Sequence, residues 1–318
     1  MFAKGGGLMQ AGALLRAARE ADGIGLREIS RRTHYSASYL SLIESGKRAA
    51  PANVVAAYEV ALGSDLEKLI ALSKTPAAVD NDTLSDVSTM LAATRRIEDA
   101  TGPLAVLLAV QGMAGMAETF AARARTAKAE SASAVASEIN QYRGWLEFAT
   151  GAETAARRSL TKAVTLAKRS HDTDRLVHGL SFTAYVNAEQ GRYAEAATLS
   201  DAALSVKKVH PLIGAFERFQ RARLHAVTGE RPDAERCLVL ADKAAESAED
   251  IELPDAGYWY TPGFFGLQRA RVLRTLGHEE RAMDEVRAAV AALPTGHRAA
   301  EWARKWRRAA SGDTDVPH

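Results

Sequence analysis

Ser36, Ser38 and Ser41 fall within T-H-Y-S-A-S-Y-L-S-L-I-E-S-G-K-R, which runs from Thr33 to Arg48 and closes on Gly46-Lys47-Arg48. Each hydroxyl can donate and accept a hydrogen bond, and two adjacent cations suit phosphate-type oxygens. Ala37 and Leu42 share the face with the serines, and all five side chains are short enough to lie close to a groove floor. Such a set can hold a polyanion at its Lys-Arg end and touch hydrogen-bonding edges along its serine row. Catalysis has no comparable set: the sequence shows no Gly-rich phosphate loop, His-Glu-x-x-His motif, nucleophile elbow or paired carboxylates. The eight histidines are scattered, with His171 and His210 in expected loops. No catalytic residue, metal ligand or cofactor is assigned, and an enzyme is not expected.

The serine row needs a helix to hold it. Ser36 can cap one by accepting a first-turn amide, and Leu40 and Ile43, three apart, give it a buried face; Glu44-Ser45-Gly46 ends it. Upstream, Leu26 to Arg32 is a second short amphipathic segment, separated only by Thr33, His34 and Tyr35. Two helices around so tight a turn have helix-turn-helix spacing.

With Leu15, Arg19, Gly23, Ile24 and Pro51, the segment from about Leu8 to Leu72 resembles the lambda-repressor-like, XRE-type helix-turn-helix family over roughly a fifth of the chain. The resemblance implies contact with double-stranded DNA through Arg31, Ser36, Ala37, Ser38, Ser41, Leu42, Lys47 and Arg48, the last two on phosphate, and a structural pair between Arg19 and Glu44. Two positions depart from the pattern: Gly25-Leu26 replaces the usual Ser-Gln, and His34 stands where glycine is frequent. The face also lacks Arg, Asn and Gln, whose bidentate contacts discriminate bases by about 1–3 kcal/mol each. Specificity then falls to thymine methyls and DNA shape.

At 318 residues the chain is long enough for two cores, and a net charge of +2 excludes an electrostatic sponge for nucleic acid. Up to Thr75, ten Lys or Arg face seven Asp or Glu, so the small excess lies where the serine row is. The single Cys237 excludes an internal disulfide and a cysteine-built zinc site, and suits a reducing, cytoplasmic setting. The longest clean apolar run, Leu104 to Val110, is far below the roughly 20 residues a bilayer demands, so no membrane partner is expected.

An all-α fold is expected throughout. Helix 1 should run from Leu8 to Ala21 and stop at Asp22-Gly23; Pro51 should start a fourth helix carrying Val54, Val55, Tyr58 and Leu62, with Gly63 as its stop; Ser64 and Glu67 should cap a fifth. Phe2 to Gly7 reads as a loose arm and Ser73 to Asn81 as a linker, after which Thr83 should cap a connecting helix with Leu84, Val87, Leu91 and Ile97 on one face.

Beyond that helix the chain repeats. Gly112, Gly151, Gly191, Gly229 and Gly277 are spaced by 39, 40, 38 and 48. Seven residues before each stands Ala105, Gly144, Ala184, Ala222 or Ala270; five after, Ala117, Ala156, Ala196, Ala234 or Ala282; twelve after, Ala124, Ala163, Ala203, Ala241 or Ala289. Small residues at fixed points let two helices approach, and glycine closes the turn between them. From about Pro103 to Pro294 this resembles the tetratricopeptide repeat (TPR), with a period longer than the family's. The resemblance implies five hairpins and a concave groove lined by Glu138, Gln141, Trp145, Phe148, His178, Ser181, Tyr185, Phe216, Phe219, Arg223, Phe264, Arg271 and Arg274, though inter-repeat core is an equal reading of the aromatics. Of these Gln141, Trp145, His178, Tyr185, Phe219, Arg223, Arg271 and Arg274 are the candidate ligand or peptide contacts. Tyr258 to Phe265 is the densest aromatic stretch, a buried segment or a lid; Ala299 to Arg308 suits a capping helix.

The expected organisation is therefore a DNA-binding head over residues 1–74, a linker and connecting helix over 75–102, a TPR-like solenoid over 103–310, and a disordered tail over 311–318. The layout resembles bacterial transcriptional regulators that pair these modules, which implies a homodimer whose repeats sense a peptide, small ligand or protein. The rival reading is an interaction scaffold whose degenerate head no longer binds DNA.

Overall fold

Hydrophobic spacing of three and four recurs along the whole chain, and in a computed structural model every element among the described residues (6–64, 66, 70, 79–248, 251–254 and 257–312) is a helix. The chain divides into two compact units, Met1–His171 and Asp172–His318.

The first unit holds α1 (Gly6–Ala21), α2 (Leu26–Thr33), α3 (Ala37–Glu44), α4 (Ala52–Leu62), α5 (Asn81–Thr101), α6 (Pro103–Arg123), α7 (Thr126–Ala149) and α8 (Glu153–Ser170). Gly23 and Gly63 stop α1 and α4 in the left-handed conformation the sequence pointed to. Val54, Val55 and Tyr58 are buried, and Leu62 is half-buried. The cap of α5 is Asp80, one turn earlier than expected: its carboxylate accepts from the Thr83 amide at 2.8 Å and from the Thr83 hydroxyl at 2.5 Å, which buries Thr83 as a first-turn residue. Most of the expected arm, Glu67 of the fifth helix, most of the 73–81 linker and most of the 311–318 tail lie outside the described residues.

From Ala11 to Arg19, α1 is buried on nearly every side, and only Arg16 is half-exposed. One face packs on α3 and α4, the other on α5 and α6. Here the reading of Gly112 as a turn residue is corrected. Gly112 lies inside α6, and a Cβ there would come within 2.2 Å of the Ala13 Cβ, so its smallness admits α1 rather than closing a hairpin. Arg16 ties the same contact by donating to the Ala105 carbonyl at 2.9 Å. From the sequence alone, only the Leu104–Val110 part of α6 is weighed against the length of a membrane span. The whole of α6 is the one helix among the described residues long and apolar enough to cross a membrane, yet Val106, Val110, Met113, Met116 and Phe120 are buried where α6 packs on α1, α5 and α7.

The remaining four repeat glycines do close turns. Gly151 separates α7 from α8, and in the second unit Gly191, Gly229 and Gly277 separate α9 (Thr173–Glu189) from α10 (Tyr193–Ser205), α11 (Pro211–Val227) from α12 (Arg231–Glu246), and α13 (Pro262–Thr275) from α14 (Glu279–Ala292). All four have φ between 73° and 83°, where a side chain is strained. The alanines named above for these four units are all buried, none more than 3 % exposed, and a Cβ on Gly144 would meet the Leu160 side chain at 2.6 Å. Two short helices, α15 (Thr295–Arg298) and α16 (Glu301–Ser311), are the last among the described residues, and α16 lays Trp302 and Trp306 on α13.

Tyr258 to Phe265 is packing, not a lid. Tyr260, Phe264 and Phe265 are buried, and their rings lie 5.4 to 6.2 Å from those of His178, Phe216, Phe219, Trp302 and Trp306 within the second unit. Edge-to-face and offset pairs of this kind add about 0.5–1.5 kcal/mol each beyond area burial.

Candidate nucleic-acid interface

The turn between α2 and α3 is built from local hydrogen bonds. His34 adopts φ 59°, the left-handed geometry that glycine meets more cheaply. The Ser30 hydroxyl donates to the Tyr35 carbonyl at 2.6 Å across the turn, and the Ser36 hydroxyl accepts from the Tyr39 amide at 3.3 Å as the cap of α3. Leu40 and Ile43 are fully buried beneath, as their spacing requires.

A buried ion pair fixes α3 to α1. Arg19 donates twice to Glu44, at 2.7 and 2.8 Å, and Tyr58 of α4 adds a third bond at 2.8 Å. Burial pulls the Arg19 pKa down, but the bond and charge of Glu44 more than offset it and hold the guanidinium above its usual range. Burial, then the Glu44 charge, pushes the Tyr58 phenol well up. Three helices thus meet on one carboxylate, so the outer face of α3 is held rigidly.

That outer face is open. Ser36, Ser38, Ser41 and Leu42 are exposed, Ala37 is half-exposed, and Lys47 and Arg48 stand exposed at the exit. Leu42, 42 % exposed, is the apolar side chain of this face and is available to touch a thymine methyl. Arg48 is steered: its guanidinium lies 4.7 Å over the Tyr39 ring and its amide donates to the Leu42 carbonyl at 2.9 Å. Arg31 is exposed but engaged, sharing Glu28 with Arg32, whose bond to it measures 2.9 Å. Hydrogen bonding by Arg32 is the main cause that holds the Glu28 carboxylate below its ordinary range. Sequence reasoning missed Tyr35, Tyr39 and Asn53. The two rings are 5.7 Å apart, and Asn53 of α4 donates to the Tyr35 hydroxyl at 2.9 Å, so they brace the turn from outside. Their spacing of four was the available signal.

Residues 10–72 match the family model of a helix-turn-helix domain. This segment is similar to helix-turn-helix domains. The matched residues contain the α2–α3 turn, the Arg19–Glu44 pair and the exposed serine row, and extend beyond α4. No match was found among curated proteins. Among solved structures, the chain is similar to Bacillus thuringiensis PlcR, crystallised in complex with the peptide PapR7 and DNA, at 14% identity and a TM-score of 0.46, over 88% of this chain and 93% of that one.

The groove candidates fall differently. In the first unit Gln141 and Trp145 are buried, and Glu138 is spent on a buried pair with Arg95 at 2.7 Å. In the second unit His178, Tyr185 and Phe219 are buried in the aromatic packing, so these five side chains act as interior here. Arg223 and Arg271 are half-buried against Glu189, and the Arg274 guanidinium lies over the Gly312 backbone. Elsewhere His225, Glu230 and Asp233 offer ligand-type atoms within 4.8 Å of one another, but Glu230 is bonded by His225 and Asp233 by Arg236.

Proposed function

We propose that the protein is a sequence-specific DNA-binding transcriptional regulator, with Ser36, Ala37, Ser38, Ser41 and Leu42 facing bases and Arg31, Lys47 and Arg48 on phosphate. The observation that carries this is the solvent-open outer face of α3 on a helix whose inner face is locked by Leu40, Ile43 and the Arg19–Glu44–Tyr58 cluster. A helix rigid on one side and unfilled on the other, ending in two exposed cations, fits entry into a major groove. Support from the family match is confined to the head. The helical repeats, TPR-like in their small-residue columns, act in this reading as the sensor for a peptide, small ligand or protein, and two copies bind half-sites about one helical turn apart. The exposed Leu42 also favours the scaffold rival, in which a protein covers it.

Selection of bound fragments from random DNA separates the two. A regulator enriches a defined site whose affinity falls steeply with salt, and Ser38→Ala or Ser41→Ala shifts the enriched site. Failure to enrich any sequence, at low salt as well as high, overturns the proposal.

A further inference from the structure

In the second unit Glu189, the last residue of α9, is the shared partner of two guanidiniums. Arg223 Nη2 and Arg271 Nη2 both approach the same oxygen, Oε1, at 2.7 Å. The arginine side chains are only 14% and 11% exposed, and Glu189 is 20% exposed. Lys305 of α16 belongs to the same group electrostatically, and Arg271 is seated 4.9 Å over the Trp306 ring of that helix. The elements α9, α11 and α13 thus bring two guanidiniums onto one carboxylate oxygen, and α16 sets Trp306 against Arg271 with the exposed Lys305 next to it in sequence. Glu301, exposed and one turn before Lys305, is the other acid acting on that lysine.

An excess of buried cation is costly, because desolvation is offset only where each charge has its counter-charge. The cost registers in the groups themselves. Burial, then the neighbouring Arg271, lowers the Arg223 pKa. A simple structural pair needs one arginine. Two converging forks with an exposed ammonium at their edge match the planar oxygens of a carboxylate or phosphate group.

We propose that Arg223, Arg271 and Lys305 form a binding site for the oxyanion group, carboxylate or phosphate, of a small ligand. This rests on the reading of the repeats as a sensor, and gives that sensor its ligand chemistry. Glu189 holds the guanidiniums in place while the site is empty and shares them when the ligand enters.

The test uses the full chain in chloride buffer, titrated at matched ionic strength with succinate in one arm and inorganic phosphate in the other. Melting temperature and tryptophan fluorescence are followed, since Trp306 lies on Arg271. A saturable rise of a few degrees with either anion is expected in the parent protein and in Arg281→Gln, an exposed control on α14, and is expected to disappear in Arg223→Gln, Arg271→Gln and Lys305→Met. A response to succinate alone assigns a carboxylate ligand, and one to phosphate alone a phosphate ester. In chloride alone, Arg223→Gln should melt no lower than the parent, because one Arg–Glu pair remains balanced. No saturable response in the parent, an undiminished response in the three variants, or a clearly lower melting point for Arg223→Gln in chloride overturns the site. A parallel gel shift separates this from the wider reading: a DNA-binding parent without anion response loses only the site, whereas a parent that binds anion but no DNA loses only the regulator.

Discussion

Glu217 offers a sharp test of how the second unit is held together. Its carboxyl is fully buried on α11, accepting hydroxyl bonds from Ser181 of α9 and Ser200 of α10, and no cation is bonded to it among the described contacts. Burial pushes its pKa up to about 7 from an ordinary 4.5, against the lowering effect of the two serines. The folded state therefore keeps a proton that the unfolded chain has already lost above pH 4.5. Stability is complete below that value and falls as pH rises through 7, reaching a plateau beyond it. At 1.36 kcal/mol per pKa unit, a gap of roughly 2.5 units amounts to about 3 kcal/mol, most of it spent between pH 5 and 8. Glu217→Gln keeps the shape and the serine bonds without the ionisation. Urea unfolding of the second unit, read by hydrogen exchange in α9 to α11 at pH 5 and pH 8, should show the variant gaining about 2–3 kcal/mol on the parent over that interval. Parallel pH curves for the two proteins would mean that the carboxyl titrates normally and is reached by water.

Three further outcomes are expected. Glu44→Ala leaves Arg19 buried without its partner and removes the Tyr58 bond, so denaturant unfolding of the first unit should show a loss of about 3–5 kcal/mol; a loss below 1 kcal/mol would mean the pair is wet. Ala222→Leu forces a large side chain into a position that is fully buried, costing about 1–3 kcal/mol in a thermal melt, while Ala245→Leu on the half-buried side of α12 should cost little. Arg48→Glu should weaken DNA binding for every sequence and reduce the slope of log affinity against log salt by about one or more, measured by fluorescence anisotropy; an unchanged slope removes Arg48 from the interface.

Much of this was legible because the strongest signals are local. The Ser36 cap, the Gly23 and Gly63 stops, and the Leu40–Ile43 face depend on residues within a turn of one another. The repeat columns were equally clear, since a small residue at a helix crossing has one physical meaning wherever the pair recurs. Gly112 shows where the method ends: the same residue type served a contact with Ala13, ninety-nine positions away, which no spacing rule encodes. Register could place Trp145, His178 and Phe219 on a helix face but could not say whether that face met solvent or another helix. Asp80 displaced Thr83 as a cap because both are good caps and a carboxylate satisfies two donors at once.

The contact of Ala13 on Gly112 bears on how this molecule is dissected in the laboratory. A fragment cut after α4 would strip α5 and α6 from one flank of α1 and leave an oily scar on the recognition module. Such a fragment would stick to itself or to membranes, and its footprint on DNA would describe the wound, not the intact head.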